Sequence, residues 1–243
     1  MGALGIWWSH HRVLVRRALG GAALLGVLLQ WLLFLLLLAA AAGLGLLLSL
    51  AVFVQDLHAQ ELRAQPLPHP AAQAHRHTLL REARRAWGLD APVAVFAAQI
   101  HQESRWNPTA RSPVGAQGLA QFMPATAKWI GTVDQALEGP APQNPTWALR
   151  ALVSYDRWLW DRIRNADNPC ERMAYTLAAY NGGLGWVYKR QRVSPRPGVC
   201  MGATCTLNPG ITPAAQRENE HYPRVILLQH QRAYAAWGSG VCL

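Results

Sequence analysis

The sequence predicts a mainly α single domain carried behind a transmembrane helix, and three observations predict it. Residues 18–54 contain no Asp, Glu, Lys or Arg. From residue 76 onward, apolar residues recur at the three- and four-residue steps of a helix face. No stretch alternates apolar and polar residues over the length of a strand. The 243 residues suffice for one domain of ordinary size with extra segments. Hydrophobic residues reach 51% and charged ones 15%, which excludes a disordered chain. The uncharged run excludes a simple cytosolic enzyme.

Arg12, Arg16 and Arg17 precede the apolar run, so residues 1–17 are the expected cytoplasmic N-terminus and 18–54 the anchor region. One span needs about 20 apolar residues. A hairpin of two spans would leave unpaired backbone groups in lipid, because residues 39–45 are all small or apolar and offer no polar turn. A cleaved signal has an apolar core of only about 7–15 residues, so the anchor is expected to be retained. The arginine asymmetry places everything after Gln55 outside the cytoplasm. Residues 55–75 form a linker stiffened by Pro66, Pro68 and Pro70. Leu79, Leu80, Ala83 and Trp87 then mark a helix stopped by Gly88. Asp90 and Pro92 start a second, whose apolar face is Val93, Phe96 and Ile100. Further helices are predicted at 146–164, 171–180 and 213–236. The stretch 189–212, rich in Pro, Gly and Cys, reads as an irregular loop. The domain therefore runs over 76–237, with 238–243 as a tail.

The 23 basic residues, 21 of them arginine, outnumber 13 acids and give a net charge of +10. Of this, +3 precedes the apolar run and +7 follows it. A charge of +7 spread over the 189 residues that follow is too diffuse to indicate nucleic acid, and an anionic polymer outside the membrane accounts for it as well. No nucleic-acid partner is expected. The four cysteines, Cys170, Cys200, Cys205 and Cys242, invite disulfides in an exported domain. Cys200 and Cys205 are near enough to clip one loop, which leaves Cys170 with Cys242. No metal site and no cofactor are expected: CxxC, HExxH, a Walker A loop and GxSxG are all absent, and His75-x-His77 sits at the edge of the linker. Lone histidines such as His101 and His221 read as packed or solvated. Cys170 follows Asn168-Pro169 at a helix start, but no histidine is marked as its partner for a peptidase.

Chemistry concentrates in three segments. In Ile100-His101-Gln102-Glu103-Ser104, Glu103 continues the stripe of Val93, Phe96 and Ile100 near the end of a helix that Asn107-Pro108 cuts short. Low dielectric and the negative end of the helix dipole both disfavour its carboxylate and raise its pKa. A glutamate that keeps its proton suits general-acid work. The alternative is a structural ion pair with Arg105 or Arg111. The second segment runs from Gly115 to Pro124. Its glycines Gly115 and Gly118 allow a close backbone approach to a ligand, and Gln121 offers an amide to a sugar. The third, Ala178-Ala179-Tyr180-Asn181-Gly182-Gly183, ends a helix; alone it reads as a cap.

Together and in this order, the segments resemble the soluble-lytic-transglycosylase (SLT) family of peptidoglycan-cleaving enzymes, glycoside hydrolase family 23-type, with a lysozyme-like fold. The family's ES dipeptide stands here as Glu103-Ser104. Its GLMQxMP segment stands as Gly118-Leu119-Ala120-Gln121-Phe122-Met123-Pro124, and its AYNxG segment as Ala179-Tyr180-Asn181-Gly182-Gly183. Ser112-Pro113-Val114-Gly115-Ala116 resembles the lead-in, and Pro124-Ala125-Thr126-Ala127 the exit. Glu218, Tyr222 and Ile226 resemble the ExxxY segment. The likeness covers about residues 77–236. Departures are Ala120 for the usual methionine and Pro223 for a small apolar residue.

The resemblance implies that Glu103 acts as acid and then as base on the MurNAc-GlcNAc bond. It implies that Ser104 orients Glu103 or touches substrate, that Gly118, Gln121, Tyr180 and Asn181 line the sugar groove, and that Met123 packs beneath it. Glu218 and Tyr222 serve as scaffold near the site. Peptidoglycan strands are the implied partner, the inner membrane and periplasm the implied location, and local wall opening for secretion or conjugation machinery or a mobile element one implied role. No second carboxylate is marked for Glu103, since Asp90 and Asp134 lie elsewhere, although Asp156 could fold back. The rivals are a hydrolytic muramidase, which needs a second carboxylate in the cleft, and a silent wall-binding assembly protein.

The topology is testable directly. A reporter enzyme active only outside the cytoplasm, fused after Leu243, is expected to be active and to fractionate with membranes. Activity only in a cytoplasmic reporter would reverse the orientation.

Overall fold

The structure, a computed structural model, describes residues 28–41, 43–56 and 66–242. The expected cytoplasmic N-terminus with Arg12, Arg16 and Arg17 lies outside the described residues. The chain divides into two units, Met1–Ala64 and Gln65–Leu243. In the first, helix α1 (Leu28–Asp56) is 29 residues long and contains an 18-residue stretch with a mean hydropathy of 2.6. At 1.5 Å per residue it is about 44 Å long, which exceeds the roughly 30 Å hydrocarbon thickness of a bilayer. Its leucines, Phe34, Phe53 and Trp31 all stand uncovered by protein. Such a helix is consistent with a single-pass membrane anchor, whose apolar surface lipid would satisfy.

The second unit is built around α3 (Val93–Ser104), whose residues from Val93 to Ile100 are all buried. A helix apolar on every side must be wrapped by others. It packs most against α2 (Arg76–Trp87) and the chain from Ile226 to Trp237; α5 (Pro145–Arg162) packs on α2, α6 (Pro169–Gly182) on α5 and α8 (Pro213–Val225) on α6, with the short α4 (Pro124–Trp129) and α7 (Leu184–Val193) besides. No strand longer than an isolated bridge occurs among the described residues; Gln117 bridges to both Arg111 and Phe122. Pro92 precedes α3 without side-chain capping, and the helix stops on two left-handed residues, Arg105 at φ 51° and Trp106 at φ 64°. This stop falls just before Asn107-Pro108, so Glu103 and Ser104 lie in the last turn. A tryptophan in the left-handed region is disfavoured. Trp106 is held there by burial and by its indole N–H, which donates to the Tyr234 hydroxyl at 2.7 Å.

The helices near 146–164 and 171–180 begin and end within two residues of their predicted places. The segment 213–236 is not one helix. Pro223 removes a backbone donor inside α8, and the chain continues as a π-turn (Ile226–His230), the three-residue α9 (Gln231–Ala233) and a 3-10 turn (Ala235–Trp237). The loop predicted at 189–212 is helical in its first five residues, because Gly183 at φ 99° only bends the chain from α6 into α7. Packing also runs past both ends of 76–237. Pro70–His75 is a 3-10 helix with Ala72 fully buried, and Val241 and Cys242 pack on the core. Disulfides join Cys170 to Cys242 and Cys200 to Cys205.

One ionic knot fixes α2 against α5. Glu82, 1% exposed, accepts from Arg81 at 3.0 Å, Arg85 at 3.2 Å and Arg150 at 2.8 Å. Burial pushes its pKa up, but the bonds from Arg150 and Arg81 and the Arg150 charge outweigh it and hold it below the ordinary carboxylate value. Glu82→Ala leaves these guanidiniums without their anion. It is expected to destabilise by about 2 kcal/mol, less than the roughly 3–5 kcal/mol of a fully buried pair, because Arg81 and Arg85 can turn to water. Arg81→Ala, whose side chain is 61% exposed, should cost under about 1 kcal/mol. Denaturant titration of the detergent-solubilised chain checks both; equal losses would show that the buried acid is not the keystone.

Candidate active site

A cleft of about 440 Å³ opens over the C-terminal end of α3. Its floor holds Glu103, and its walls include Gln121, Phe122 and Met123 from the loop before α4, Tyr155 from α5, Tyr180 and Asn181 from α6, and Glu218 and Tyr222 from α8. The three sequence segments therefore meet, although Glu103 and Tyr222 are 119 residues apart. The α3 stripe determines which way Glu103 faces. Its Oε1 accepts a short hydrogen bond from the Tyr222 hydroxyl. Burial raises the Glu103 pKa most; the Tyr222 bond lowers it and the like charge of Glu218 raises it, leaving the group at about 8. At neutral pH Glu103 accordingly keeps its proton.

Each neighbour is held in turn. The Tyr180 hydroxyl donates to the Ala120 carbonyl at 2.7 Å, which ties α6 to the loop beneath the cleft. Gln121, at φ 48°, spends its amide N–H groups on the Gly118 and Ala110 carbonyls at 2.8 and 3.3 Å, leaving its Oε1 as the polar atom offered to a ligand. Asn181 donates to Glu218 at 3.2 Å and accepts from Asn219 at 3.0 Å. Asn219 is itself fixed by the buried guanidinium of Arg190, which donates to it at 2.5 Å. Met123 is 41% exposed at the rim, so it edges the cleft and does not lie under it.

Two expected site residues lie off the cleft wall. The Ser104 hydroxyl donates to the Leu119 carbonyl at 2.8 Å, pinning the end of α3 to the loop. Gly118, at φ 76°, approaches backbone and not ligand: a Cβ there would stand 1.7 Å from the Pro142 carbonyl oxygen. Glu218 and Tyr222, in contrast, are on the wall and not merely near it. Sequence reasoning missed Tyr155, Gln102 and His221 as wall residues. Tyr155 stands mid-helix among other aromatics, where nothing in the local pattern separates it from core.

Asp156 does fold back toward Glu103, but underneath. It is fully buried, and its Oδ1 faces the Gln99 Nε2 at 3.4 Å. Asp156 Oδ2 and Gln99 Oε1 are both buried without a partner. A proton on Asp156 Oδ2 would pair these two atoms, and burial pushes the Asp156 pKa well up. Burial thus favours the neutral form of Asp156, which stands outside the cleft wall. Among the described residues no group of three or more His, Cys, Asp or Glu could hold a metal ion.

A buried helix ending in a proton-holding glutamate beneath a polar cleft sets a proton donor where a ligand can reach it. Residues 79–197, just under half of the chain, match the family described as Transglycosylase SLT domain. Over 104 residues the chain is 33% identical to membrane-bound lytic murein transglycosylase F of Vibrio parahaemolyticus, covering 43% of this chain and 18% of that protein. The counterpart in Shewanella frigidimarina is 35% identical over 104 residues, covering 43% of this chain and 20% of that protein. The chain thus spans about a fifth of the length of these relatives. The 70 kDa soluble lytic transglycosylase SLT70 of Escherichia coli superposes with a TM-score of 0.48 at 23% identity, over 65% of this chain and 24% of that one. The family match ends at residue 197, before α8, so the Tyr222–Glu103 bond is a finding of this structure's geometry.

Since the Tyr222 bond pulls the Glu103 pKa down, Tyr222→Phe is expected to move the Glu103 titration above its position near 8. Carboxyl-carbon NMR of the labelled chain checks this. A downward shift would mean that the hydroxyl stabilises the protonated form instead.

Proposed function

We propose that the chain is a membrane-anchored peptidoglycan lytic transglycosylase with its catalytic unit in the periplasm. The observation that carries this reading is Glu103: one protonated carboxyl, at the end of a buried helix, opening into a cleft lined by Gln121, Tyr180 and Asn181. In this reading Glu103 gives its proton to the glycosidic oxygen as the bond to the muramic C1 breaks. The substrate's N-acetyl group shields C1, and its C6 hydroxyl then attacks. The hydroxyl's proton returns to Glu103, so no water is consumed and a 1,6-anhydro-MurNAc end forms. Intramolecular attack gains from effective concentration. Phe122, Met123 and Tyr180 narrow the access of water. The Gln121 Oε1 and the Asn181 amide position the sugars. Tyr222 holds the Glu103 carboxyl in one orientation for both proton transfers.

A second reading, hydrolysis, is favoured by one observation: Glu218 is an exposed carboxylate on the same cleft wall. A hydrolase of this kind uses a second carboxylate as base or nucleophile. Its bond to Asn181 and its place one turn before Tyr222 suit a fixed anion beside the sugar as well as a base. The products separate the readings.

Glu103→Gln keeps the shape and removes the proton. Cleavage of purified sacculi is expected to fall by about 10²–10⁴-fold, with binding retained. Mass spectrometry of wild-type digests should give fragments one water lighter than free reducing ends. Near-normal activity in Glu103→Gln would remove Glu103 from its role, and free reducing ends would turn the reading to hydrolysis.

A further inference from the structure

The wall of the cleft does not end at Tyr155. Its ring lies 5.7 Å from Trp129 and 6.1 Å from Trp158, and those two indoles lie 5.0 Å apart, edge to face. Trp129 sits on α4 one turn after Thr126, which lines the cleft, yet it is 36% exposed. Tyr155 also touches Tyr180 at 5.3 Å, so an unbroken chain of ring contacts leads from the neighbourhood of Glu103 to Trp158. Trp158 in turn lines a second cleft of about 490 Å³, with Arg85, Asp134, Arg157, Asp161 and Arg162.

The arginines of that second cleft differ in what they have left to give. Arg85 is committed to Glu82, Asp134 and Ser154. Arg162 lies 3.7 Å above the Trp158 ring and gives one N–H to the Trp158 carbonyl at 3.0 Å, keeping its other donors in water. Arg157 lies over Trp87 at 5.4 Å and gives its Nε to Asp161 at 3.1 Å, which leaves its terminal nitrogens. A guanidinium laid on an indole face is pre-oriented, and its fork fits a carboxylate. Three arginines against two aspartates leave the cleft with a surplus of one positive charge. An exposed indole offers a flat apolar surface to the C–H face of a sugar, and the arginines beyond it offer charge to an anion.

We propose that this platform is a second binding region for the substrate strand: Trp129 carries a sugar beyond the cleavage site, Trp158 backs it and orients Arg162, and Arg157 and Arg162 receive carboxylates of the strand's peptide substituents. The ligand is therefore a peptide-bearing aminosugar strand and not a bare glycan. The proposal rests on reading the main cleft as a peptidoglycan-cleaving site.

Binding of uncleaved strands to the full chain carrying Glu103→Gln tests this independently of turnover. Peptide-bearing and peptide-free strands of the same length are compared. Trp129→Ala is expected to weaken both about tenfold, and Trp129→Phe to restore most of the loss. Arg157→Ala combined with Arg162→Ala should weaken only the peptide-bearing strand, again about tenfold, with an unchanged unfolding midpoint. Equal weakening of both strands by the arginine pair, unchanged binding in all variants, or no binding by the parent overturns the proposal. A parent that binds as expected while the wild-type chain leaves strands uncut would instead overturn the catalytic reading alone.

Discussion

The second unit depends on half-burying one carboxyl at the end of a buried helix. The first eight residues of α3 are fully enclosed, and an enclosed apolar helix can present a polar group only where it ends. The left-handed pair Arg105 and Trp106 ends it one residue after Ser104. Burial then makes the charged form of Glu103 costly, and a group that resists ionisation at neutral pH is ready to donate. The surrounding helices serve this condition. The buried Glu82 knot clamps α2 to α5, and Asp156, whose pKa burial pushes up, faces the Gln99 amide inside the core.

The fourth wall comes from α8. Pro223 stands directly after Tyr222, and the helix passes into a π-turn shortly beyond it. A proline inside a helix leaves a carbonyl of the preceding turn without its donor. Here the irregular segment that follows packs against α3, and the helix before it carries Glu218 and Tyr222 to the cleft. The departure from the family pattern at residue 223 therefore leaves the Tyr222–Glu103 bond intact. Tyr234, further on, extends the same packing by accepting from Trp106 and meeting His101 Nδ1 at 3.1 Å. Burial and the nearby charges of His230, His69 and Arg105 lower the His101 pKa to about 4, so no fixed positive charge from that ring lies beside Glu103 at neutral pH.

Much of this was legible in the sequence because the governing signals are local. The α1 run, the stripe of Val93, Phe96 and Ile100, and the helix around Tyr180 all follow from composition and period. Glu103 was legible because it continues an apolar stripe. What was not legible depends on contacts between distant segments. Ser104 and Gly118 look like ligand residues in a motif, yet their partners are the Leu119 and Pro142 carbonyls. Tyr155 and Trp129 look like core aromatics until the cleft is seen to run past them. The break of 213–236 was signalled by Pro223, but a proline alone does not say whether a helix stops or bends.

In the proposed chemistry the proton of Glu103 serves a ring closure within the substrate, and water takes no part. Digestion of purified strands in water enriched in ¹⁸O, with immediate mass analysis of the new chain ends, tests this. No heavy oxygen is expected at the new muramic ends. One ¹⁸O per new end would contradict this chemistry and make Glu218 the leading candidate for the base that activates water.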